Sequence, residues 1–471
     1  MSKEELLELL KKLLQDAFHS IQGRDKEELN EEKRTELKDD IEKVFMQALL
    51  DKGKPKEILS KVLQNKDEFL ETFSPWPKKE DEDSGLIKEF VNSINNPDSN
   101  NDFSWLDILD TDKQWMEQAD KETKKEIKNK SKHVNMRYQI PTHFHGNIDN
   151  AVIFHCMENP RGYLGEYEDS YIDKGLECTD LVEYFGKTYK LLNEDNSSKK
   201  SVEKIQSVLK NYQKDDLPDT KDIIKKRYQL DKFKSKNITN IIYSDKSNLS
   251  RELDNLFLEG EDFFEKEYNL KKHKKNKKPV LSEKYYYLAQ YYAQLLKIDG
   301  KNMRNLKDKR GDENTEERKK VRKIANKICN LEIYPFSCKD PKLGDEGIGE
   351  KILLNSDLSR LGAYIVLRRI YKYLINENPQ NPQKPLFVFR KYDRAWEKLF
   401  NRIFKEVGVE DKFLQYLESH FFYCQTGQQG GGITSGNVIS VHDFKALENI
   451  YKKLKELAFT EIFNLITEKE D

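Results

Sequence analysis

Four short apolar segments, each followed by a turn or a polar loop, limit most strongly what this chain can fold into. They are Ala151–Phe154, Leu331–Pro335, Pro385–Phe389 and Phe421–Cys424. Short apolar runs bounded by turn signals are typical of buried strands. Strands that alternate with helices usually pair in parallel, since each crossover helix packs on a face of the sheet. We therefore expect an α/β fold, with a mostly parallel sheet flanked by helices, over residues 136–194 and 329–471.

Helical periodicity fills the gaps between these strands. Asn355, Ser356 and Asp357 offer N-caps for a helix whose apolar positions recur every three or four residues, including Leu361 and Ile365. A further helix is predicted over Tyr392–Val407, and a closing helix over Asp443–Ile466.

Outside this core, the pattern predicts three further segments. Residues 1–77 have helical periodicity, with Gly53 as a helix stop, and form an N-terminal helical domain. That domain either packs on the rest of the chain or docks a partner or a second copy. Residues 78–135 are a polar linker with short helices, and residues 195–328 are a charged helical insertion.

Composition excludes several classes of protein. The chain has 83 Lys and Arg against 84 Asp and Glu, a net charge of −1, so it is no uniformly basic nucleic-acid coat. Its five Cys are scattered without a CxxC pair, which argues against a disulfide framework and a tetrathiolate metal site. No apolar stretch approaches the roughly 18 residues of a membrane span. We expect a cytoplasmic protein with no membrane association and no cofactor.

One stretch resembles a known motif. The segment 144–154, with the residues up to Gly162 that follow it, resembles the first motif of the uracil-DNA glycosylase superfamily. The likeness is closest to the mismatch-specific branch, in which a strand is followed by Gly-x-Asn-Pro-Gly. Downstream, the segments 334–337, 386–396 and 424–437 follow the order of the later motifs. The resemblance covers the sheet core and does not extend to residues 1–135.

The resemblance implies a base-excision site. In this family an Asn or Asp of the first motif positions the attacking water, and Asn159 is the matching residue. An aromatic just beyond the motif stacks the base, and Tyr163 is the nearest candidate. Glu158 is an alternative for activating the water, and His145 is a candidate for lining the base pocket. The alternative is that Asn159 and Pro160 form an ordinary turn without a catalytic role.

Two departures from the family pattern point away from plain uracil. Arg161 stands between Pro160 and Gly162, where the branch has Pro directly followed by Gly. Its charge suits a phosphate, a charged or glycosylated base, or an ion pair with Glu158. The last motif lacks its usual His, so Gln425, Gln428 or Asn437 would have to hold the base or the DNA backbone. The glycines around them would let backbone N–H groups approach a phosphate, unless the segment is only a surface loop.

A lysine run favours a nucleic-acid partner. It contains Lys271, Lys272, Lys274, Lys275, Lys277 and Lys278. Such local basicity predicts strongly salt-dependent DNA binding, although a solvated loop is the alternative. The tyrosines that follow suit stacked bases. However, Tyr285, Leu288 and Tyr292 share one helical face, which favours core packing.

The sequence therefore predicts a monofunctional DNA glycosylase, a hydrolase that excises an unusual or modified base. Family analogy extends this to defence against phage DNA that carries such bases. One alternative is a catalytically inactive nucleic-acid-binding module of the same fold. Another is a metal-dependent nuclease using Glu158, Glu166, Glu168 and Asp169, which read equally well as an acidic surface loop. His143, His145 and His155 lack the further ligands of a recognisable metal site, so no metal is expected.

Overall fold

A computed structural model of the chain describes residues 29–76, 141–159, 235–258, 287–296, 316–335, 353–376, 383–426, 432–434 and 437–448. Its α-helices are α1 (Glu31–Asp51), α2 (Leu59–Gln64), α3 (Lys66–Phe73), α4 (Ser235–Ile242), α5 (Asn248–Leu258), α6 (Glu316–Ala325), α7 (Asp357–Leu374), α8 (Glu397–Val407) and α9 (Asp411–His420). Residues 441–448 are also helical. None of these helices combines the length and the apolar character needed to cross a membrane.

Seven strands form one sheet. They are β1 (Phe144–His145), β2 (Ile153–Met157), β3 (Tyr243–Ser244), β4 (Ile328–Glu332), β5 (Leu386–Phe389), β6 (Phe422–Gln425) and β7 (Val438–Ser440). Their order across the sheet is β3-β1-β4-β2-β5-β6-β7. The predicted α/β class is confirmed. The sheet is mixed, because β1 runs antiparallel to β4 and β7 runs antiparallel to β6, while the other described pairings are parallel.

The position of β4 differs from the sequence pattern. The apolar run predicted a strand over Leu331–Pro335, whereas β4 covers Ile328–Glu332. The reason lies in Asn330, a buried polar residue that separates Ile328 and Cys329 from the apolar run starting at Leu331.

One face of the sheet packs on the larger hydrophobic core. Phe154 and Cys156 of β2 point into it, together with Phe387 and Phe389 of β5. The buried faces of α1, α7 and α8 complete this core. Alternate residues of a strand face opposite sides, so polar residues between these positions must lie on the other face.

The second face carries a smaller core. Met157 and Ile328 pack there against buried leucines of α5, with Leu249 and Leu253 among them. Segment 287–296 packs on this face as well, with Leu288 fully buried. His155, Asn330 and Glu332 lie on this same face, because they alternate with residues of the larger core.

The described N-terminal helices share the core of the sheet. The predicted apolar positions Leu37, Ile41 and Phe45 of α1 are buried. The Phe45 ring lies 5.5 Å from the Tyr364 ring of α7. Gly53 ends α1 with a φ of 64°, as expected for a helix stop. These helices therefore pack on the rest of the chain, while the outer limits of the predicted domains remain predictions.

The predicted insertion contributes to the sheet. β3 pairs in parallel with β1, and α5 and α6 pack on the second face. Two-residue edge strands such as β3 leave little apolar signal in a sequence, which is why the charged segment reads as helical throughout.

Two buried arginines of α7 hold the turn between β1 and β2. Arg368 pairs with the carboxylate of Asp149 and donates to the Val62 carbonyl at 3.1 Å. Arg369 donates to the Ala151 carbonyl at 3.1 Å. Because charged hydrogen bonds inside a protein are strong, these contacts fix the start of β2, the strand that leads to the candidate site.

Candidate active site at the carboxyl edge of the sheet

Four adjacent strands are parallel, in the order β4-β2-β5-β6. Of these four strands, β2 comes first in the chain. β4 is then added on one side of β2, and β5 is added on the other side. The sheet therefore has a topological switch point between β2 and β5. In open α/β sheets, ligands bind outside the carboxyl ends of the strands at such a point. The residues directly after β2 and β5 are Glu158, Asn159, Arg390 and Lys391.

Backbone hydrogen bonds continue past the strand ends and hold these residues in place. The Arg390 N–H donates to the Cys156 carbonyl at 2.9 Å. On the other side, the Tyr334 N–H donates to the Glu158 carbonyl, also at 2.9 Å. The end of β2 is thus bonded to both neighbouring strands, and Glu158 itself is bonded to Tyr334 beyond β4.

An ion pair spans the switch point. Lys391 Nζ lies 2.9 Å from Glu158 Oε1, with the Glu158 side chain 12% exposed and that of Lys391 43% exposed. Lys391 adopts a left-handed backbone, with φ 45° and ψ 53°, and is the one non-glycine residue with positive φ in the described ranges. Such a conformation costs roughly 1 to 3 kcal/mol and concentrates at functional sites. The adjacent Asn159 is 8% exposed.

A second carboxyl lies at the same edge. Glu332, the last residue of β4, is 2% exposed, and its Oε2 has no hydrogen-bond partner among the residues that the structure describes. Burial raises the pKa of Glu332 to about 8, with the Arg390 charge lowering it and the Glu158 charge raising it further. At neutral pH this carboxyl is therefore mostly protonated. A neutral carboxylic acid donates a hydrogen bond, which a carboxylate cannot do.

Tyrosines cover this face. We call the π-helix Tyr287–Tyr291 the tyrosine helix. Its two terminal rings are stacked, with centroids 5.2 Å apart. Glu252 of α5 accepts hydrogen bonds from the Tyr287 and Leu288 N–H groups, at 2.9 and 2.7 Å, and so fixes the start of the helix. Burial raises the pKa of Tyr287 well above its usual range, and the charge of Glu332 raises it further.

Tyr292, next to the tyrosine helix, belongs to a buried hydrogen-bonded chain. Gln425 at the end of β6 donates through its Nε2 amide to His155 Nε2 and to the Gly432 carbonyl, both at 3.2 Å. Since His155 Nε2 accepts, we assign the ring proton to Nδ1, which donates to the Tyr292 hydroxyl at 3.0 Å. Asn330 Nδ2 donates to the same hydroxyl at 2.6 Å. Burial lowers the pKa of His155 to about 3, so the ring is neutral.

His145 lies away from the edge. It pairs with Asn330 in the antiparallel ladder and is 3% exposed. Its ring nitrogens lie 2.5 Å from Asn248 Oδ1 and 2.6 Å from the Ile241 carbonyl oxygen. Burial lowers the pKa of His145 to about 4, with a further lowering by the Arg251 charge. Within the described residues, His145 is linked to the site through Asn248 and Asn330 and does not lie beside Glu158.

Apart from His145, the predicted site residues fall into three groups. Glu158 and Asn159 stand together at the switch point. Gln425 and Asn437 meet at the Gly432 carbonyl, to which Asn437 Nδ2 donates at 3.0 Å. The remaining predicted residues lie outside the described part of the chain; they are Arg161, Tyr163, Gln428, Lys271, Lys272, Lys274, Lys275, Lys277 and Lys278.

The tyrosine prediction is confirmed where the structure describes it, since Leu288 and Tyr292 are fully buried. Among the described residues, no group of three or more His, Cys, Asp and Glu side chains is arranged to hold a metal ion.

Two members of the site were missed from the sequence. The sequence does contain a signal for Glu332, because a Glu between buried apolar residues of a strand faces solvent, a buried partner or a site. Lys391 gave no such signal. Its left-handed conformation depends on the turn that joins β5 to the next helix.

No protein-family model, no curated protein and no solved structure matches the chain. Its likeness to the uracil-DNA glycosylase superfamily therefore rests on its motifs alone.

Proposed function

We propose that the protein is a DNA glycosylase-like hydrolase that excises an unusual or modified base. The observation that carries this proposal is the position of Glu158 and Asn159. They follow the central strand β2 at the switch point, where the motif resemblance expects the residues that handle the attacking water.

The chemistry fits the groups at that edge. Cleavage of an N-glycosidic bond passes through a sugar cation, so the site must hold a water under the anomeric carbon. The Asn159 amide orients that water, and the Glu158 carboxylate takes its proton. Lys391, 2.9 Å from Glu158, keeps the carboxylate in one position.

Aromatic rings supply the other requirement. A base excised from DNA must leave the helical stack, and enzymes that flip bases stack them again between aromatic or apolar side chains. The stacked rings of Tyr287 and Tyr291 lie on the same face as Glu332. The DNA partner, and a role in defence against phage DNA with modified bases, are parts of the same proposal.

The test is release of a free base without metal. Purified protein with EDTA is incubated with genomic DNA from phages that carry modified bases and from an unmodified host. Mass spectrometry then measures released bases, and alkali reveals abasic sites. We expect a released base that disappears in Asn159→Ala and Glu158→Gln but persists in Asn401→Ala, a control on the exposed side of α8. Strand cleavage only with magnesium, without base release, would replace this proposal with a nuclease.

One observation favours the second candidate, a nucleic-acid-binding module without catalysis. Gln425 and Asn437, the residues expected to hold the base, both donate to the Gly432 carbonyl. While these N–H groups stay bonded to the backbone, they cannot donate to a base edge. Salt-sensitive DNA binding with no released base and no cleavage is the result that this candidate predicts.

A further inference from the structure

We propose that Glu332 is the general acid of this site and protonates the base as it leaves. The inference rests on the proposed glycosylase function and adds the group that activates the leaving base. It also names the substrate class, which is a neutral base with an acceptor nitrogen or oxygen that must gain a proton before it departs.

The position of Glu332 suits this role. It ends β4 and is in register with Met157, the residue before Glu158. Its backbone N–H donates to the His143 carbonyl at 2.8 Å, so the carboxyl stands on a fixed strand end. Glu332 and Glu158 therefore lie on neighbouring strands at the same edge, where one can serve the leaving base and the other the water.

The unpartnered oxygen of Glu332 needs a physical explanation. A buried polar atom without a partner costs about 1 to 3 kcal/mol, and each such atom in a native protein calls for a reason. Glu332 Oε2 lacks a hydrogen-bond partner within the described residues although its side chain is almost completely buried. An acceptor atom on a bound base would supply the missing partner.

The charged and titratable groups around Glu332 decide its protonation. They come from three directions: Cys156 and Glu158 from β2 and its end, Arg390 from the end of β5, and Tyr287 and Tyr292 from the tyrosine helix and its end. Burial raises the pKa of both tyrosines and of the Cys156 thiol, so these groups are uncharged at neutral pH. Of the groups named, only Arg390 opposes protonation of Glu332, while the negative charge of Glu158 favours it.

The step balances. The bond between the anomeric carbon and the base nitrogen breaks, and its electron pair stays on the base. The proton of Glu332 moves to an acceptor atom of that base. Water forms the new bond to the anomeric carbon and gives one proton to Glu158. Transfer of a proton back to Glu332 through solvent restores both carboxyls, so the products are the free base and an abasic sugar.

The test uses the full-length protein and the DNA from which base release has been detected. Glu332→Gln keeps the shape of the side chain but cannot give up a proton. We expect it to release base roughly 100-fold more slowly from DNA that it has bound. In the wild type, the rate should fall as pH rises through about 8. Glu332→Asp should keep that fall at a shifted pH, whereas Glu332→Gln should lose it.

Infrared spectroscopy of the wild type detects the Glu332 proton directly, so this test does not depend on whether a variant folds. In the wild type, the infrared carbonyl band of a protonated carboxyl should be present at pH 6 and should fade as pH rises through the pKa of about 8. Absence of that band at pH 6 would overturn the inference, as would base release by Glu332→Gln within threefold of the wild-type rate. If the wild type releases no base from any DNA, the proposed function fails instead.

Discussion

The ammonium group of Lys391 lies 2.9 Å from the carboxylate of Glu158, across the gap between the ends of β2 and β5. The lysine that makes this contact is also the residue with the strained left-handed backbone. The contact joins two strand ends at the point where ligands enter sheets of this type. A residue that accepts backbone strain while it holds a carboxylate is expected to matter more for the reaction than for stability.

Replacing Lys391 should therefore separate stability from activity. Lys391→Gly removes the steric cost of the left-handed conformation and should raise the free energy of unfolding by about 1 kcal/mol. The half-exposed ion pair offsets little of this gain. Base release should fall roughly tenfold, because Glu158 loses the group that positions it.

Lys391→Ala is the matched control. It loses the same ion pair but keeps the strain, so its activity should fall equally while its stability does not rise. The measurements are denaturant unfolding and the rate of base release. Equal stability of the two variants would show that the backbone at this position carries no strain.

The close approach of Gly146 to β4 predicts a large effect of a single methyl group. A Cβ at this position would overlap the Ile328 carbonyl oxygen and lie 2.5 Å from the Cys329 Cα. Gly146 also has a φ of 133°. Gly146→Ala should reduce the free energy of unfolding by about 3 kcal/mol or more, from overpacking together with backbone strain.

Gly53→Ala is the comparison for this prediction. Gly53 has a positive φ of 64° but open space around its Cβ position. Its replacement should cost about 1 kcal/mol from backbone conformation alone. Urea unfolding of both variants tests the difference, and similar losses for the two would mean that β4 does not approach Gly146 closely.

The hydroxyl of Tyr292 accepts two buried hydrogen bonds, from Asn330 and from His155. Tyr292→Phe leaves both donors without this acceptor and should cost about 2 kcal/mol of stability. In a double-mutant cycle with Asn330→Ala, the two losses should overlap by about 1 kcal/mol, because the residues share one bond. Strict additivity would contradict the hydrogen-bonded chain.

Three buried histidines predict a loss of stability in acid. Burial lowers the pKa of His143 and His155 to about 3 and that of His145 to about 4, from an ordinary 6.5. Below pH 6.5 the unfolded chain binds protons that the folded chain excludes, so the stability present above pH 6.5 is lost as the pH falls toward these values. Urea unfolding at pH 7 and at pH 5 measures this loss of stability. Equal or greater stability at pH 5 in Glu332→Gln, which lacks the opposing titration of that carboxyl, would show that these rings are protonated in the folded state.

Glu332 predicts the opposite dependence of stability on pH. Its folded-state pKa of about 8 lies above the ordinary 4.5, so its contribution is fully present below pH 4.5 and is lost as the pH rises through 8. Glu332→Gln has no such proton. Its stability relative to the wild type should rise between pH 5 and pH 8, by an amount on the order of a few kcal/mol. A difference that stays constant with pH would mean that Glu332 is solvated.

Local sequence signals predicted several elements well. The recurrence of Leu37, Ile41 and Phe45 predicted the buried face of α1, and Gly53 predicted its end. The side chain of Ser356 accepts from the Leu358 N–H and caps α7 where the N-cap signal stood. Such features depend on residues a few positions apart, so the sequence alone contains them.

The predicted strands were less accurate. β5 lies within the expected run, but β4 begins earlier than predicted, because Asn330 places a polar side chain inside a buried strand. β3 gave no usable signal. A buried polar residue can be predicted to lie in a strand only when its hydrogen-bond partners are known. The partners of Asn330 are Asn248 and Tyr292, which are both far away in the chain.

The sequence by itself determined the α/β class, the amphipathic helices and the placement of Glu158 and Asn159 directly after a strand. Only the tertiary structure decided that β2 lies between β4 and β5. That strand order brings Glu332, Arg390 and Lys391 to the same edge as Glu158. The physical reason is that periodicity reports which face of an element is buried, whereas a site is set by which buried faces meet. Which faces meet depends on pairing between residues that are distant in the chain, and the local sequence pattern does not predict such pairing.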